Sequence, residues 1–200
     1  RSSLLSTVSH DLRTPLAAVT GAATTLLDEA AQLSPAQRHE LLETIAEEAE
    51  RLERLVGNLL DMTRLESGGL RPKREWVPVG EIVGSTLERL DTALAGREVE
   101  TTISEEVPLL SVDPVLFEQV LVNLLENTIK YAPPGTRIEV VAEADAQAIR
   151  LEIRDRGPGL PEPTDQVFEK FFRGGASLGT TRGAGLGLAI CRGIVEAHGG

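Results

Sequence analysis

Apolar residues recur in steps of three and four along the beginning of the chain, which is the pattern of an amphipathic helix. The apolar positions are Leu5, Val8, Leu12, Leu16, Val19, Ala23 and Leu26. At roughly 100° per residue, His10 lies about 160° from the centre of this stripe. The pattern therefore predicts a helix from the N-terminus to about Ala31 that points His10 away from its packed face. Asp11 follows directly, and Thr14 lies one turn further on.

A second amphipathic helix follows after a short connection. Ser34, Pro35 and Gln37 form the pattern of a helix start, with a serine cap, a proline in the first turn and a capping box. The same apolar spacing then continues until Gly68, where glycine favours a helix stop. Two long helices with a short connection predict an all-α hairpin over residues 1–68. Because one hairpin buries only a narrow seam, we expect two copies to pair into a four-helix bundle.

The second half mixes helix and strand patterns, which predicts an α+β two-layer sandwich of helices and antiparallel strands over residues 79–200. The predicted helices cover residues 80–95, 115–131 and 186–197, and the predicted strands cover residues 98–103, 109–112, 136–143 and 148–154. Residues 69–78 are expected to be a linker with a short strand. Its basic side chains are expected to be solvated: Arg71, Lys73 and Arg74. Residues 155–184 are rich in glycine and proline and predict a long mobile loop.

The composition restricts the class of protein. The net charge of −11 argues against nucleic-acid binding, because the phosphate backbone attracts basic surfaces. A single cysteine, Cys191, excludes an intrachain disulfide and is typical of a reducing compartment. No apolar run approaches the ~20 residues of a membrane span, so a soluble fragment is expected. Both ends fall in or directly after helical patterns, so we expect a piece of a longer protein.

Two groups of residues on either side of the predicted hairpin of strands are candidates for ligand binding. Asn123 and Asn127 lie one turn apart on one helix face, with Lys130 and Tyr131 after them, and amide oxygens with an ammonium suit a metal ion and phosphate. The alternative is an ordinary solvated helix face. Asp155 follows a strand, where its carboxylate can accept from an exocyclic amine. Glycines after it permit close approach to a flat ligand: Gly157 and Gly159. The alternative is a β-turn.

Two further groups lie in and after the long loop. Phe168, Phe171 and Arg173 belong to an aromatic cluster that either covers a ligand or anchors the loop as a small core. The segment Gly183-Ala184-Gly185-Leu186-Gly187-Leu188 opens the last helix, where free backbone N–H groups attract anions. A long loop and not a strand precedes this segment, so it does not fit a dinucleotide-binding fingerprint. No Gly-Lys-Ser/Thr follows, so it does not fit a P-loop either, and a glycine-rich turn alone does not establish a site.

In this order the groups resemble the H, N, G1, F and G2 boxes of a sensor histidine kinase of two-component signalling. The matching residues are His10-Asp11, Asn123 and Asn127, Asp155-x-Gly157-x-Gly159, Phe168-x-x-Phe171-x-Arg173, and Gly183-x-Gly185-Leu186-Gly187-Leu188. Residues 58–64, 75–78 and 187–200 further resemble the potassium-sensor kinases of the Kdp type. So does His10-Asp11, where most relatives have His-Glu.

The resemblance implies a dimerisation and phosphotransfer hairpin followed by an ATP-binding domain of the Bergerat type, with ATP and Mg²⁺ as cofactors. His10 would be the nucleophile of a protein-histidine kinase, Asp11 would orient its ring and accept its proton, and Thr14 would support removal of phosphate from the partner regulator. In the ATP-binding domain, Mg²⁺ would be held by Asn123 and Asn127.

The remaining box residues would bind the nucleotide. Lys130 would meet phosphate oxygens, Tyr131 would lie near the nucleoside, and Asp155 would accept from the adenine amine. The glycines of the last box would let a lid close on the phosphates. The other implied nucleotide contacts are Gly157, Gly159, Phe168, Phe171, Arg173, Gly183, Gly185, Leu186, Gly187 and Leu188.

The resemblance also implies partners and a location. We expect a homodimer, a response regulator receiver domain as phosphoryl acceptor, and a parent protein anchored in the bacterial inner membrane with this part on its cytoplasmic side. The family continues past the final glycines with closing strands. The absence of these strands, either through disorder or because the sequence stops there, would expose a sheet edge.

Two other readings remain open from the residues. One is a dimeric ATP-binding scaffold without kinase activity, and the other is a chaperone-type or gyrase-type ATPase of the same nucleotide fold. Two single residues carry further expectations. Pro15 removes the helical hydrogen bond to the carbonyl of Asp11, which predicts a bend or weak point beside His10. His198, at the end of the last helix, is expected to have no chemical role.

Overall fold

Two long helices form the first part of the molecule. The structure, a computed structural model, describes residues 2–28, 32–160, 162–172 and 185–200, with the backbone alone for residues 2–7. The helices of the hairpin are α1 (Ser2–Asp28) and α2 (Pro35–Glu66). The predicted end of the first helix at Ala31 lies outside the described residues.

The predicted start of α2 is confirmed. The Ser34 side chain accepts from the Gln37 backbone N–H over 3.2 Å, and the Gln37 side chain accepts from the Ser34 N–H over 3.0 Å. Both bonds satisfy N–H groups that have no partner in the first turn of a helix. The helix ends just before Gly68, which has a φ of +63° that glycine adopts without strain.

The rest of the chain forms an α+β part. Its helices are α3 (Val79–Arg89), α4 (Asp91–Leu94), α5 (Pro114–Tyr131) and α6 (Gly187–Ala197), with a short 3₁₀ helix at Thr164–Phe168. Its strands are β1 (Glu75–Val77), β2 (Val99–Ile103), β3 (Leu110–Val112), β4 (Ile138–Ala144) and β5 (Ile149–Arg154).

The single helix predicted over residues 80–95 is instead two helices. The chain leaves helical geometry at Leu90, where φ is −98° and ψ is 9°. Leu90 and Leu94 are both buried in the main core, so the break accompanies the packing of both side chains against it.

The strands form two small sheets, and one pairing differs from the expectation. β1 and β3 pair antiparallel, and the second sheet has the order β2-β4-β5. The β4–β5 hairpin is antiparallel as predicted, but β2 and β4 are parallel, with Val99 opposite Ile138. The expectation of antiparallel strands alone was wrong because α5 lies between β2 and β4 and returns the chain in a crossover connection.

Two hydrophobic cores lie within the described part of the chain. The main core lies between the helices α3 and α5 and the inner face of β4, where Ile138, Val140 and Ala142 are at most 1% exposed. The second core, called the junction cluster below, consists of Met62, Val120, Leu186, Ile190, Cys191 and Ile194. Since Met62 belongs to α2, this cluster joins the hairpin to α5 and α6.

The linker is fixed to the α+β part. Asp113 accepts the Lys73 N–H on one carboxylate oxygen over 2.9 Å and the Leu116 N–H on the other over 3.2 Å. The basic side chains of the linker are exposed as expected, but Arg74 also donates to the carbonyl of Ala197 over 3.1 Å. Carbonyls at the end of a helix lack helical partners, which explains this contact.

His198 has a structural role. Its Nδ1 lies 2.7 Å from the Ile194 carbonyl, so this nitrogen carries the proton, and Nε2 accepts the Asp113 N–H over 3.0 Å. Its ring also meets Phe117 edge to face, with 5.4 Å between ring centroids. These contacts tie the end of α6 to the start of α5.

Within the described ranges, none of the helices has both the length and the apolar character that a membrane span requires.

Candidate functional site

His10 points into solvent, as its place on α1 predicts. Its side chain is 80% exposed, whereas that of Asp11 is 13% exposed. The Nδ1 atom lies 3.5 Å from the Asp11 carboxylate, at the outer limit of hydrogen-bond distance. The ring is therefore open to another molecule or domain while an acid lies beside one of its nitrogens.

The helix around His10 is continuous. α1 runs through Pro15, which is buried, and Thr14 donates its hydroxyl to the His10 carbonyl over 3.2 Å. Pro15 has no N–H and so cannot donate the helical hydrogen bond to the carbonyl of Asp11. The helix does not break here, and a weak point beside His10 stays a prediction.

The α+β part reaches the hairpin next to this histidine. A small pocket between the two hairpin helices is lined by Val8, Asp11, Leu12, Leu55, Leu59 and Leu186. Leu186 lies directly before α6 and is only 1% exposed. The leucine of the glycine-rich segment thus packs with Met62 of the hairpin and lines the same pocket as the residue that follows His10.

The two asparagines are on the partly buried face of α5. The Asn123 Nδ2 atom is buried and has no hydrogen-bond partner in the described part of the chain. A Cβ added at Gly187 would lie 3.6 Å from Asn123 Oδ1, so this amide faces the start of α6. The Lys130 Nζ lies 4.7 Å from the ring centroid of Tyr131, a cation–π contact at the end of the same helix.

The Asp155 carboxylate is held on both oxygens. Oδ1 accepts the Gly157 N–H over 2.7 Å, and Oδ2 accepts from the Thr128 hydroxyl over 3.3 Å. A Cβ at Gly157 would come within 2.8 Å of Oδ1, so a side chain there would displace the carboxylate. Gly159 has a φ of +81°, which turns the chain away from the strand.

The phenylalanine and glycine segments are in contact. Phe171 has a φ of 64°, and its N–H donates to the Gly185 carbonyl over 2.9 Å. A Cβ at Gly185 would lie 2.6 Å from the carbonyl oxygen of Phe172. Phe171 packs against the junction cluster, and the guanidinium carbon of Arg192 lies 6.0 Å from the Phe168 ring centroid. In the described part, these aromatic residues anchor the loop to α6.

Not every candidate is described. Arg173 and Gly183 lie outside the described residues. Leu188 is partly buried on α6, and Asn127 is partly buried on α5. Cys191, in the junction cluster, is buried, and burial raises the pKa of its thiol to about 12. Such a thiol carries too little thiolate at neutral pH to act as a nucleophile.

Comparison with known proteins identifies the family. Residues 1–68 match the model of the His Kinase A phospho-acceptor domain, and residues 112–200 match that of the histidine kinase-, DNA gyrase B- and HSP90-like ATPases. The mycobacterial sensor histidine kinase MprB is 34% identical, and its solved structure matches 63% of this chain and 80% of its own with a TM-score of 0.54. The chain belongs to the histidine kinase family.

Two other proteins are similar over nearly the whole chain. The sensor protein KdpD of Escherichia coli K12 is 44% identical over 202 residues, which is 100% of this chain and 22% of KdpD. The structure of AdeS from Acinetobacter baumannii is 26% identical and matches 94% of this chain and 86% of its own with a TM-score of 0.72. This histidine kinase chain thus spans about a fifth of the length of KdpD.

Some contacts of the site were not predicted. Thr128 touches Asp155 although the sequence separates them widely, and Leu186 touches the hairpin and not only its own helix. A signal existed for Thr128, because it continues the apolar stripe of Leu121 and Leu125, where a polar residue is unexpected. No comparable signal marks Leu186, since an apolar residue before a helix has many packing options.

Proposed function

We propose that this chain is the catalytic core of a sensor histidine kinase that transfers the γ-phosphoryl group of ATP to His10. The observation that carries the proposal is the 80% exposed His10 side chain with Asp11 beside its Nδ1, on the same chain as an ATPase-family domain. A histidine that receives a phosphoryl group from one domain and gives it to another protein must be accessible to both. Exposure on the outer face of α1 meets this requirement.

We assign the roles of His10 and Asp11 in phosphoryl transfer from their relative position. We place the ring proton on Nδ1, which lies 3.5 Å from the Asp11 carboxylate, so that Nε2 holds the free electron pair. Nε2 attacks the γ-phosphorus, an N–P bond forms, and the P–O bond to the β-phosphate breaks with its electron pair on ADP. The Nδ1 proton then moves to Asp11, which acts as general base. Thr14 lies one turn away and is proposed to position water for dephosphorylation of the regulator.

The nucleotide residues are proposed on the contacts around α5 and α6. Asp155 accepts from the adenine amine, and Gly157 and Gly159 let the backbone approach the base. Lys130 meets phosphate oxygens, Tyr131 lies near the nucleoside, and the glycine segment with its leucines surrounds the phosphates. Phe168 and Phe171 anchor this segment. Arg173 and Gly183 complete the proposed set by sequence position alone.

Mg²⁺ is proposed at the two asparagines. Amide oxygens are suitable ligands for this cation, and Asn123 and Asn127 lie one turn apart on α5. The Asn123 Oδ1 atom faces the start of α6, where the glycine segment lies. When bound, Mg²⁺ neutralises the negative charge that phosphoryl transfer redistributes.

The proposed organisation is a dimerisation and phosphotransfer hairpin over residues 1–68, a linker over residues 69–78 and a catalytic ATP-binding domain over residues 79–200. Several large apolar side chains of the hairpin are about half exposed or more, which supports its pairing with a second copy: Leu16, Leu27, Leu42, Val56 and Leu60. Sedimentation equilibrium that shows only monomer at high concentration would contradict this dimer.

The similarity to KdpD supports Kdp-type potassium or osmotic signalling by the whole protein. We further propose that the phosphoryl group passes to an aspartate of a response regulator. The resemblance to sensor kinases supports a parent protein anchored in the bacterial inner membrane, with this chain on the cytoplasmic side.

Labelling with γ-³²P-ATP tests the proposal. The wild type is expected to gain label that is stable in base and lost in acid, whereas His10→Ala gains none. His39→Ala is a matched control, because His39 is also exposed on the hairpin, at 74%, and pairs with Glu43 over 3.2 Å. His39→Ala is expected to label normally.

The same experiment separates the two alternatives. A scaffold would bind ATP without gaining label. An ATPase of another type would hydrolyse ATP at a rate that His10→Ala leaves unchanged. Equal labelling of wild type and His10→Ala would show that His10 is not the acceptor.

A further inference from the structure

Thr128 makes a different bond from six other threonines in the helices. A helical threonine usually donates its hydroxyl to the carbonyl of its own helix one turn back. This local bond is present at Thr14, Thr20, Thr25, Thr44, Thr63 and Thr86. Thr128 instead donates to Asp155 Oδ2 over 3.3 Å, across 27 positions of the sequence. Since a hydroxyl has one proton to donate, this choice links α5 to the end of β5.

The Thr128 donor is buried, whereas its Asp155 acceptor is exposed to solvent. Thr128 is 4% exposed, whereas Asp155 is an exposed residue just after the strand. An aspartate on the surface can rotate its carboxylate, because its second torsion angle has a broad preference. Here the two oxygens are distinguished by their donors, the Gly157 N–H on Oδ1 and the Thr128 hydroxyl on Oδ2. The plane of the carboxylate is therefore set by two separate parts of the fold.

We propose that Thr128 is a positioning residue that orients the Asp155 carboxylate and thereby sets the preference for adenine over guanine nucleotides. This inference rests on the proposed function, in which Asp155 accepts from the adenine amine. Thr128 itself touches the carboxylate and not the base.

The chemistry of the two purines gives the reason. Adenine presents an amine donor where guanine presents a carbonyl acceptor. A carboxylate held in one orientation keeps a free lone pair towards that position, which attracts the amine and repels the carbonyl. A carboxylate held only by the Gly157 N–H can rotate, so it binds adenine less well and excludes guanine less strictly. Thr128 therefore affects both affinity and selectivity.

Thr128 also lies between the proposed Mg²⁺ ligands and the proposed base-binding residue. It directly follows Asn127, one of the proposed Mg²⁺ ligands, on α5. Its bond to Asp155 fixes that helix to the base-binding end. Loss of the bond should therefore alter nucleotide affinity without removing any group that contacts phosphate.

The matched substitutions are Thr128→Val, Thr128→Ser and Thr86→Val in the full chain. Valine keeps the shape of threonine and removes the donor, and serine keeps the donor. Thr86 is also buried, at 0% exposure, in helix α3, and donates to the Ile82 carbonyl over 2.7 Å. Thr86→Val thus controls for loss of a buried hydroxyl away from the site.

The measurement is the dissociation constant of each variant for ATP and for GTP in the presence of Mg²⁺, by titration calorimetry. For Thr128→Val we expect ATP binding about five- to tenfold weaker and a smaller ratio of GTP to ATP dissociation constants. Thr128→Ser and Thr86→Val should remain within about twofold of wild type. Circular dichroism melting confirms the fold, and Thr128→Ala replaces the valine variant if that protein does not fold.

Wild-type affinity and selectivity in Thr128→Val would overturn the inference, and so would equal losses in Thr128→Val and Thr86→Val. Asp155→Asn separates this failure from that of the proposed function. Because asparagine keeps an acceptor oxygen, Asp155→Ala is measured beside it. If Asp155→Ala binds ATP as the wild type does, the base-binding role of Asp155 is wrong. If it loses ATP while Thr128→Val does not, only the role of Thr128 is wrong.

Discussion

Gln119 donates from Nε2 to the Asp61 carboxylate over 2.7 Å and thereby joins α5 to the hairpin helix α2. The bond lies beside the junction cluster, in which Met62 of α2 packs with residues of α5 and α6. Further along the same interface, Lys170 pairs with Glu66 over 2.6 Å. The interface between the two parts of the chain thus has an apolar centre and polar contacts at its edge.

Gln119→Met should loosen this interface. Methionine keeps the length of the side chain but removes the donor, and the Asp61 carboxylate is then left with Arg64 at 3.7 Å. We expect the interaction between the parts to weaken by about 1–2 kcal/mol, seen as faster hydrogen exchange in the second half of α2. Glu118→Gln is the control, since Glu118 pairs with Arg89 within the α+β part. Equal exchange rates in Gln119→Met and wild type would contradict the prediction.

Pro15→Ala should change the balance of activities. The substitution restores an N–H that can bond to the Asp11 carbonyl, which stiffens α1 beside His10. We expect ATP affinity to stay unchanged while the ratio of autophosphorylation to regulator dephosphorylation shifts. Rates of both reactions, measured with the same regulator, test this expectation. If neither rate changes, the absent bond at Pro15 has no role in switching between the two activities.

Cys191 should resist alkylation in the folded protein. Burial raises the pKa of its thiol from 9.0 to about 12, so thiolate is scarce at pH 8. We expect iodoacetamide to react with Cys191 only after unfolding by denaturant, as followed by mass spectrometry. Rapid reaction in the native state would show that the junction cluster opens easily.

The same raised pKa affects stability at high pH. The folded state disfavours the thiolate, so its contribution to stability is complete below pH 9 and is lost as the pH rises towards 12. The free energy of unfolding of Cys191→Ala should therefore fall less steeply than that of wild type over this range. Parallel curves for the two proteins would contradict the assignment.

Gly185→Ala should destabilise the contact between the phenylalanine and glycine segments. Gly185 has a φ of +65°, and a Cβ there would lie 2.6 Å from the Phe172 carbonyl oxygen. We expect a loss of about 2 kcal/mol or more in the free energy of unfolding, measured by urea denaturation.

Gly84→Ala provides the matched comparison. Gly84 lies within α3, and a Cβ there would meet nothing within 4 Å. Because alanine favours helix over glycine, this variant should gain about 0.5–1 kcal/mol. A similar effect of both substitutions would show that the crowding at Gly185 is relieved by movement of the loop.

Local patterns predicted the elements well because their signals lie within a few residues. The cap at Ser34 and the helix start at Asp113 depend on bonds to Gln37 and Leu116, three positions away in each case. The exposure of His10 follows from its angle to the apolar stripe of its own helix. Because such interactions join residues that are close in sequence, a short pattern is enough to predict them.

The remaining features depend on pairs that are distant in sequence. The parallel pairing of Val99 with Ile138 requires the crossover through α5, which strand patterns do not show. The bond from Thr128 to Asp155 and the packing of Leu186 with Met62 arise only when separate elements meet. Which of these distant residues come into contact depends on the tertiary structure and cannot be predicted from local patterns.

The fixed linker sets the length of the tether between the two parts of the chain. Lys73 and Arg74 are bound to Asp113 and Ala197, and α2 ends at Glu66. Residues 67–69 remain bonded to the last turn of α2, because their N–H groups donate to the carbonyls of Thr63, Leu65 and Arg64. Residues 70–72 then join the two points of attachment, and at roughly 3.5 Å per residue they span about 10 Å at full extension. While these bonds hold, the end of the hairpin and the start of the α+β part cannot move further apart than that short span.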